Sequence, residues 1–466
     1  MLVSPRGRSC RRQQSPRDVA RHVVRRRRRA REVAERAVEL LESVAAPPRE
    51  LARAYATLAQ RYLLGIHDEV VVLSWSERAL ELAERLGDEP VAVHALTTLG
   101  VAEAYLGKEA GWAKLEESFA RAKAAGLQDD AARAIINLVE AARDLRRYHL
   151  VDRYRDEAIE YVTGQDVDLD IYRRRLESDL AEVALERGRW QEATGLADAL
   201  LSERRTASVI RLKALTVIGR LRARRGDSEP WSLLDEALEL TGPQTEREQL
   251  DALHAARMEA ALLEGNSVLA RAEAESVLPL RAERLIDPWW RGELGFWAWQ
   301  AGALDELPEG AAEPYELHFA GRYRAAGSAW EAIGCPYHQA LALADSDDEE
   351  DLRKALETFQ SLGAQPAARV VVERLRAMGA RKIPRGPRPR TQGNPAGLTS
   401  RELEVLALLG QGLRNVDIAE RLVVSPKTVD HHVSAILRKL RVPNRFAAAE
   451  QAHRLGLQDG EVVAPK

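Results

Sequence analysis

The chain has 466 residues, 45% of them hydrophobic and 30% charged, with a formal net charge of −3. That composition is globular and long enough for several domains, and abundant Ala, Leu, Glu and Arg favours helix over sheet. No run of about 18 uncharged apolar residues exists to span a membrane. The Arg-rich start lacks the apolar core of a signal peptide. The two cysteines, Cys10 and Cys335, make neither a disulfide framework nor a zinc cluster, which fits a reducing cytoplasm.

Near-neutrality conceals three blocks of opposite sign. Residues 1–31 hold twelve Arg against one acid and read as a basic disordered tail. Residues 380–445 hold thirteen Lys or Arg against five acids, so the totals leave residues 32–379 with a net charge of about −21. An acidic body is repelled by phosphates, so contact with nucleic acid is expected at the basic C-terminal end alone.

Residues 32–380 read as helical hairpins. An aromatic leads an Ala/Leu-rich amphipathic run at Trp75, Trp112, Tyr154, Trp190 and Trp231, at intervals of 37, 42, 36 and 41 residues. A second amphipathic stretch, such as 91–106 or 207–222, lies between successive members and is usually followed by Gly. Two helices per unit at this period resemble degenerate tetratricopeptide repeats, which implies a stacked superhelix whose concave face takes a peptide, protein or small effector. The periodic aromatics are expected as knobs between the helices of each unit. Trp289-Trp290 and Phe296-Trp297-Ala298-Trp299 form a second aromatic cluster, suited either to closing the array or to lining a ligand pocket.

Helices are expected at 323–333, 352–362 and 367–378. Residues 381–397 read as a Pro/Arg-rich linker, because Pro384, Pro387, Pro389 and Pro395 exclude helix. Enzymatic motifs are missing. Gly107-Lys108 is followed by Glu109 and has Ala102 where the first Gly of a phosphate loop belongs. The histidines form no metal spacing, and no Gly-x-Ser-x-Gly occurs. The expectation is a chain that is not an enzyme and takes no cofactor or metal.

Three short helices follow. Thr399 and Glu402 are spaced as a capping box, with Leu398 and Leu403 as a hydrophobic staple. The first helix should stop near Gly410 or Gly412. Asn415 is a candidate N-cap for the second, and Ser425-Pro426 a cap and first-turn pair for the third. On the third helix Val429, Val433, Ile436, Leu437 and Leu440 form one apolar stripe. Lys427, His431, Ser434 and Arg438 lie opposite, with Asp430 and Arg441 at the edge and His432 and Lys439 on the flank. That outer face can enter a DNA major groove.

At these residues the segment resembles the LuxR-type helix-turn-helix of bacterial response and quorum regulators. The likeness runs from about Leu398 to Leu457 through Thr399-Ser-Arg-Glu402, Gly412-Leu413, Asn415, Ile418-Ala419, Ser425, Thr428-Val429, His432, Ile436-Leu437 and Lys439-Leu440. It implies that Asp430, His431 and Ser434 face base edges while Lys427, Thr428 and Lys439 face phosphates. It also implies a fourth helix from Asn444, used by many relatives for dimerisation. Many relatives carry Lys where this chain has Asp430, and a carboxylate there can accept from cytosine N4.

The combination resembles the sensor and effector portions of large ATP-binding LuxR-family regulators, without their nucleotide-binding domain. The expected fold is all-α, a tetratricopeptide-like solenoid followed by a four-helix LuxR-type domain at 398–460. The expected function is sequence-specific DNA binding to double-stranded DNA as a dimer in the cytoplasm, with the repeats receiving a protein or small-molecule signal. The other reading is a protein-interaction scaffold in which the helix-turn-helix contributes little.

Overall fold

The computed structural model describes residues 32–43, 48–65, 69–164, 169–203, 206–242, 245, 247–278, 287–384, 398, 400–440 and 442–454. The expected basic tail, most of the expected linker, Cys10, Thr399 and Arg441 lie outside these residues. The chain divides into two compact units, Met1–Ile383 and Pro384–Lys466. Helices are the sole regular elements among the described residues.

The first unit opens with α1 (32–43), α2 (Pro48–Gly65) and α3 (Glu69–Leu86). Five hairpins follow: α4 (Glu89–Tyr105) with α5 (Ala110–Ala124), α6 (Gln128–Asp144) with α7 (Tyr148–Thr163), α8 (Asp170–Glu186) with α9 (Trp190–Ser202), α10 (Ser208–Arg225) with α11 (Pro230–Glu239), and α12 (Arg247–Leu263) with α13 (Ser267–Val277). The first helix of each pair packs on the first helix of the next, so α2, α4, α6, α8, α10 and α12 form a continuous inner layer. Each inner helix therefore has neighbours on several sides. The segment 91–104 of α4 is buried apart from the half-buried His94 for this reason.

The aromatics that mark the period fall on the second helix of each pair. Trp112, Tyr154 and Trp190 are buried in the apolar core, as knobs between helices would be, whereas Trp75 and Trp231 are only half-buried against it. A second periodic signature sits in the turn inside each pair, where the chain takes a left-handed conformation at Gly107, Gly188, Gly226 and Gly265. The α6–α7 turn has Arg146 at the equivalent place, with φ 53°.

The repeat then breaks. It continues as α14 (Pro288–Gln300), α15 (Glu313–Phe319), α16 (Tyr323–Ile333), α17 (Pro336–Ala344), α18 (Glu349–Leu362) and α19 (Gln365–Ala377). Leu294, Phe296, Trp297 and Tyr315 join the core of α6–α8, and Tyr337, Phe359 and Val371 join that of α8–α10. The expected open inner face is thus covered over this stretch by the chain's own later helices. The second aromatic cluster closes the array: Phe296 stacks near Trp297, Trp299, Tyr315 and His318 at centroid distances of 4.9–5.9 Å.

What the later helices cover is charged. Arg220 donates from Nε to Glu259 at 2.5 Å and pairs through Nη1 with Glu293 at 2.5 Å, and Arg224 Nε reaches Glu259 at 2.7 Å. Lys213 donates to Asp179 at 2.7 Å, and Arg143 pairs with Asp179 and Asp144. Burial alone would push the Glu259 carboxyl up; Arg220 and Arg224 outweigh it and hold the group below its usual range. In a stack of near-uniform Ala/Leu surfaces apolar contact discriminates register poorly. Buried ion pairs are strongly penalised when unmatched, so a shifted register would cost more here than apolar contact alone would impose.

Candidate nucleic-acid interface

The second unit is built from α20 (Ser400–Gly410), α21 (Asn415–Leu422), α22 (Pro426–Leu440) and α23 (Arg445–Arg454). Leu398, Val405, Leu406, Leu409, Ile418, Val429, Ile436 and Ala448 bring all four helices to one small core. Gly412, at φ +80°, ends the first helix as expected.

The α21–α22 connection is short. Val423 caps α21 in the left-handed region at φ 53°, Val424 follows, and Ser425 caps α22 by accepting from the Thr428 backbone N–H at 3.1 Å. Arg401 of α20 braces this turn by donating to the Leu422 carbonyl at 2.5 Å. Two helices held this tightly leave α22 projecting its outer face as a unit.

Asn415 does not cap α21, contrary to its sequence signature. The N-cap is Arg414, in extended backbone, whose N–H donates to the Asp417 carboxylate at 3.1 Å. The Asn415 side chain is engaged elsewhere: its Nδ2 donates to Asp430 Oδ1, and its Oδ1 accepts from Arg445 Nη1 at 3.3 Å. Arg445 also donates to the Leu413 carbonyl at 2.7 Å. Asp430 thus has Asn415 as its partner.

On α22 the buried residues are Val429, Val433 and Ile436. Lys427, Asp430, His431, Ser434 and Arg438 are exposed along the opposite side, while Thr428, His432 and Lys439 are half-buried on the flanks. Thr428 Oγ1 lies 2.8 Å from Ser425 Oγ, within the helix cap. Lys439 Nζ donates to Glu402 Oε2 of α20 at 2.6 Å, with Glu402 itself buried. The wheel read from the sequence therefore agrees with the burial of Val429, Val433 and Ile436 and the exposure of the opposite side, while Leu437 and Leu440 of the expected stripe are only half-buried and the flanking lysine has an intramolecular partner. α23 starts at Arg445, capped by Asn444 accepting from Ala447 N–H at 3.0 Å.

Sequence reasoning passed over Arg401 and Arg445. A cation on the first residue of a helix opposes the helix dipole. That misfit at Arg445 was a readable sign that the side chain has a partner outside its own helix.

The geometry defines a helix-turn-helix with one exposed polar face, and comparison places it in a family. Residues 396–452 match the family described as bacterial regulatory proteins, luxR family. The C-terminal segment is accordingly a LuxR-family helix-turn-helix domain. The segment is similar to the transcriptional regulatory protein LnrK of Bacillus subtilis, 52% identical over 60 residues, covering 13% of this chain and 27% of that protein. It is similar to the putative HTH-type transcriptional regulator Rv0890c of Mycobacterium tuberculosis, 37% identical over 107 residues, covering 22% of this chain and 12% of that protein. It is also similar to the nitrate/nitrite response regulator protein NarL of Escherichia coli, 36% identical over 107 residues, covering 23% of this chain and 47% of that protein. The chain spans less than half the length of these relatives.

Proposed function

We propose that the protein is a transcription regulator that binds double-stranded DNA in a sequence-specific way through α22. The observation that carries this reading is the division of that helix into a buried stripe, Val429, Val433 and Ile436, and an exposed face of Lys427, Asp430, His431, Ser434 and Arg438. In the reading, Asp430, His431 and Ser434 face base edges. Lys427, Thr428, Arg438 and Lys439 face phosphates, the last by exchanging Glu402 for a phosphate oxygen. The family match and the names of the relatives support DNA binding and regulation.

We further propose that the protein acts as a dimer on DNA, in the cytoplasm and without enzymatic chemistry. No helix among the described residues is long and apolar enough to cross a membrane. The acidic helical body is read as the receiver of a protein or small-molecule signal. Because α14–α19 cover much of the inner layer, such a signal would act on the outer helices or by loosening that cover.

The test is affinity for DNA as a function of salt. The logarithm of affinity should fall linearly with the logarithm of salt, by about 0.9 for each phosphate neutralised. Binding that ignores salt between roughly 50 and 200 mM would remove groove docking as the mode of action.

A further inference from the structure

Asp430 stands on the exposed face of α22, where a free carboxylate near phosphates is an electrostatic liability. It is not left to rotate. Asn415, on the first turn of α21, donates from Nδ2 to Asp430 Oδ1, and Arg445, on the first turn of α23, donates from Nη1 to Asn415 Oδ1 at 3.3 Å. Arg445 is anchored in turn, its Nη2 donating to the Leu413 carbonyl at 2.7 Å. Three helices therefore meet at one amide.

The chemistry of that amide makes the arrangement directional. A carboxylate only accepts and a guanidinium only donates, so the Asn415 side chain satisfies both neighbours in one orientation and neither in the flipped one. With the amide fixed, Asp430 Oδ1 is held by Asn415. Oδ2 has no hydrogen-bond partner among the described residues.

We propose that Asn415 and Arg445 are positioning residues that aim the open carboxylate oxygen of Asp430 at an exocyclic amine in the major groove, that of cytosine N4, and so set base preference without touching a base. The proposal rests on the DNA-binding reading above and adds a specificity device to it. Major-groove edges offer a carboxylate only amino groups to accept from, and cytosine N4 is the partner that Asp and Glu take. Preorganising the acceptor removes the rotamer freedom it would otherwise lose on docking. The same clamp ties the reading helix to the start of α23, so a change in how α23 is held reaches the base contact through two hydrogen bonds.

The experiment uses the full chain. An operator is first selected from a randomised duplex library with the unaltered protein, and affinities are then measured by fluorescence anisotropy for all single-base variants of that operator. The variants Asp430→Ala, Asn415→Ala and Asn415→Asp are compared, with the double variant Asn415→Ala/Asp430→Ala. Asn415→Asp places an acidic residue at the helix start, where the dipole favours it, but cannot donate to Asp430. This second replacement keeps the test open should Asn415→Ala fail to fold.

Each Asn415 variant should lose discrimination on the order of tenfold at one base pair, the same one at which Asp430→Ala loses it. The double variant should lose no more than Asp430→Ala alone, because residues acting through one contact are not additive. If Asp430→Ala shifts a base preference and both Asn415 variants leave it intact, the positioning role is overturned while base reading stands. If Asp430→Ala changes no preference, the proposal falls with Asp430's place among the base readers. Selection that yields no enriched sequence overturns both the proposal and the function on which it rests.

Discussion

Arg146 donates to Glu293 at 3.3 Å across 147 positions of sequence, joining the α6–α7 turn to α14. Arg146 occupies the left-handed turn position that glycine holds in the neighbouring hairpins, with φ 53°. A side chain there costs roughly 1–2 kcal/mol. The strain is kept because the guanidinium is buried beside Glu293 and the Tyr148 hydroxyl, to which it donates at 2.9 Å.

Replacing Arg146 by Gly should therefore destabilise the helical body even though it relaxes the backbone. Glu293 would retain Arg220 but lose a partner in the interior. Leaving a buried charge unpaired costs about 3–5 kcal/mol; with Arg220 still compensating Glu293 and the backbone strain relieved, a net loss of roughly 1 kcal/mol is expected. Urea denaturation followed by circular dichroism measures it. A midpoint equal to or above that of the unaltered protein would mean that the turn, not the ion pair, dominates.

Glu402 competes with DNA for Lys439 in the proposed binding mode, since its Oε2 holds Nζ at 2.6 Å. Glu402→Gln should weaken that hold and tighten binding to every sequence alike, by about two- to fivefold if the pair is worth 0.5–1 kcal/mol. Lys439→Ala should weaken all sequences equally and lower the salt slope by about one. Titrations of one operator and one unrelated duplex at two salt concentrations read both effects. A gain confined to the operator, or a salt slope untouched by Lys439→Ala, would show that Lys439 stays with Glu402 on DNA.

How far the sequence foretold this differs between the two units, for physical reasons. In the C-terminal unit caps, glycine stops and one apolar stripe act locally, and Gly412, Ser425, Val429, Val433 and Ile436 all stand as read. Asn415 misled because a short polar side chain at a helix start can either cap the helix or reach across to a neighbour, and local pattern does not choose. In the body the period was visible in Trp112, Tyr154 and Trp190, and the helix 323–333 was read with its limits. The folding back of α14–α19 was not visible. Lys213, Arg220 and Arg224 look solvated in any window of α10, and their partners Asp179, Glu259 and Glu293 lie some thirty to seventy residues away.

The acid sensitivity of the body has a nameable source in His94 on α4. Burial, and then the positive charge of Arg133, pull its pKa down to about 4 from 6.5. The folded state keeps the ring neutral while the unfolded chain takes up a proton below about 6.5. Unfolding thus binds protons between these values, and the stability owed to this group should fall as pH drops from 6.5 to 4, by up to about 1.4 kcal/mol per pH unit, partly offset by Asp287, whose carboxyl is raised by burial to about 6. His338, held neutral by burial beside Arg224 and Arg220, adds a slope of the same sign. Glu273, lowered to about 2, contributes stability above the ordinary carboxylate range and loses it only as pH falls from there toward 2. His94→Gln should flatten the dependence of the melting temperature on pH in this window. An unchanged slope would assign it to other groups.

Val423 is the residue of the helix-turn-helix most at odds with its backbone. It caps α21 with φ 53° and ψ 50°, a conformation that β-branched side chains avoid, and the residue is 90% exposed, so packing returns almost nothing for the strain. Asn is the non-glycine residue that tolerates this region best, through local hydrogen bonding of its short amide. Val423→Asn should stabilise the C-terminal unit by about 1 kcal/mol, raising its melting temperature by roughly 4–8 °C. Calorimetry of the full chain, following the transition of this unit, makes the measurement. Because α21 and α22 keep the same φ and ψ at their junction, the operator's base preferences should be unchanged. A stabilised variant with altered preferences would mean that the strained turn sets the pitch of α22 in the groove; a variant no more stable would mean that the turn relaxes without cost.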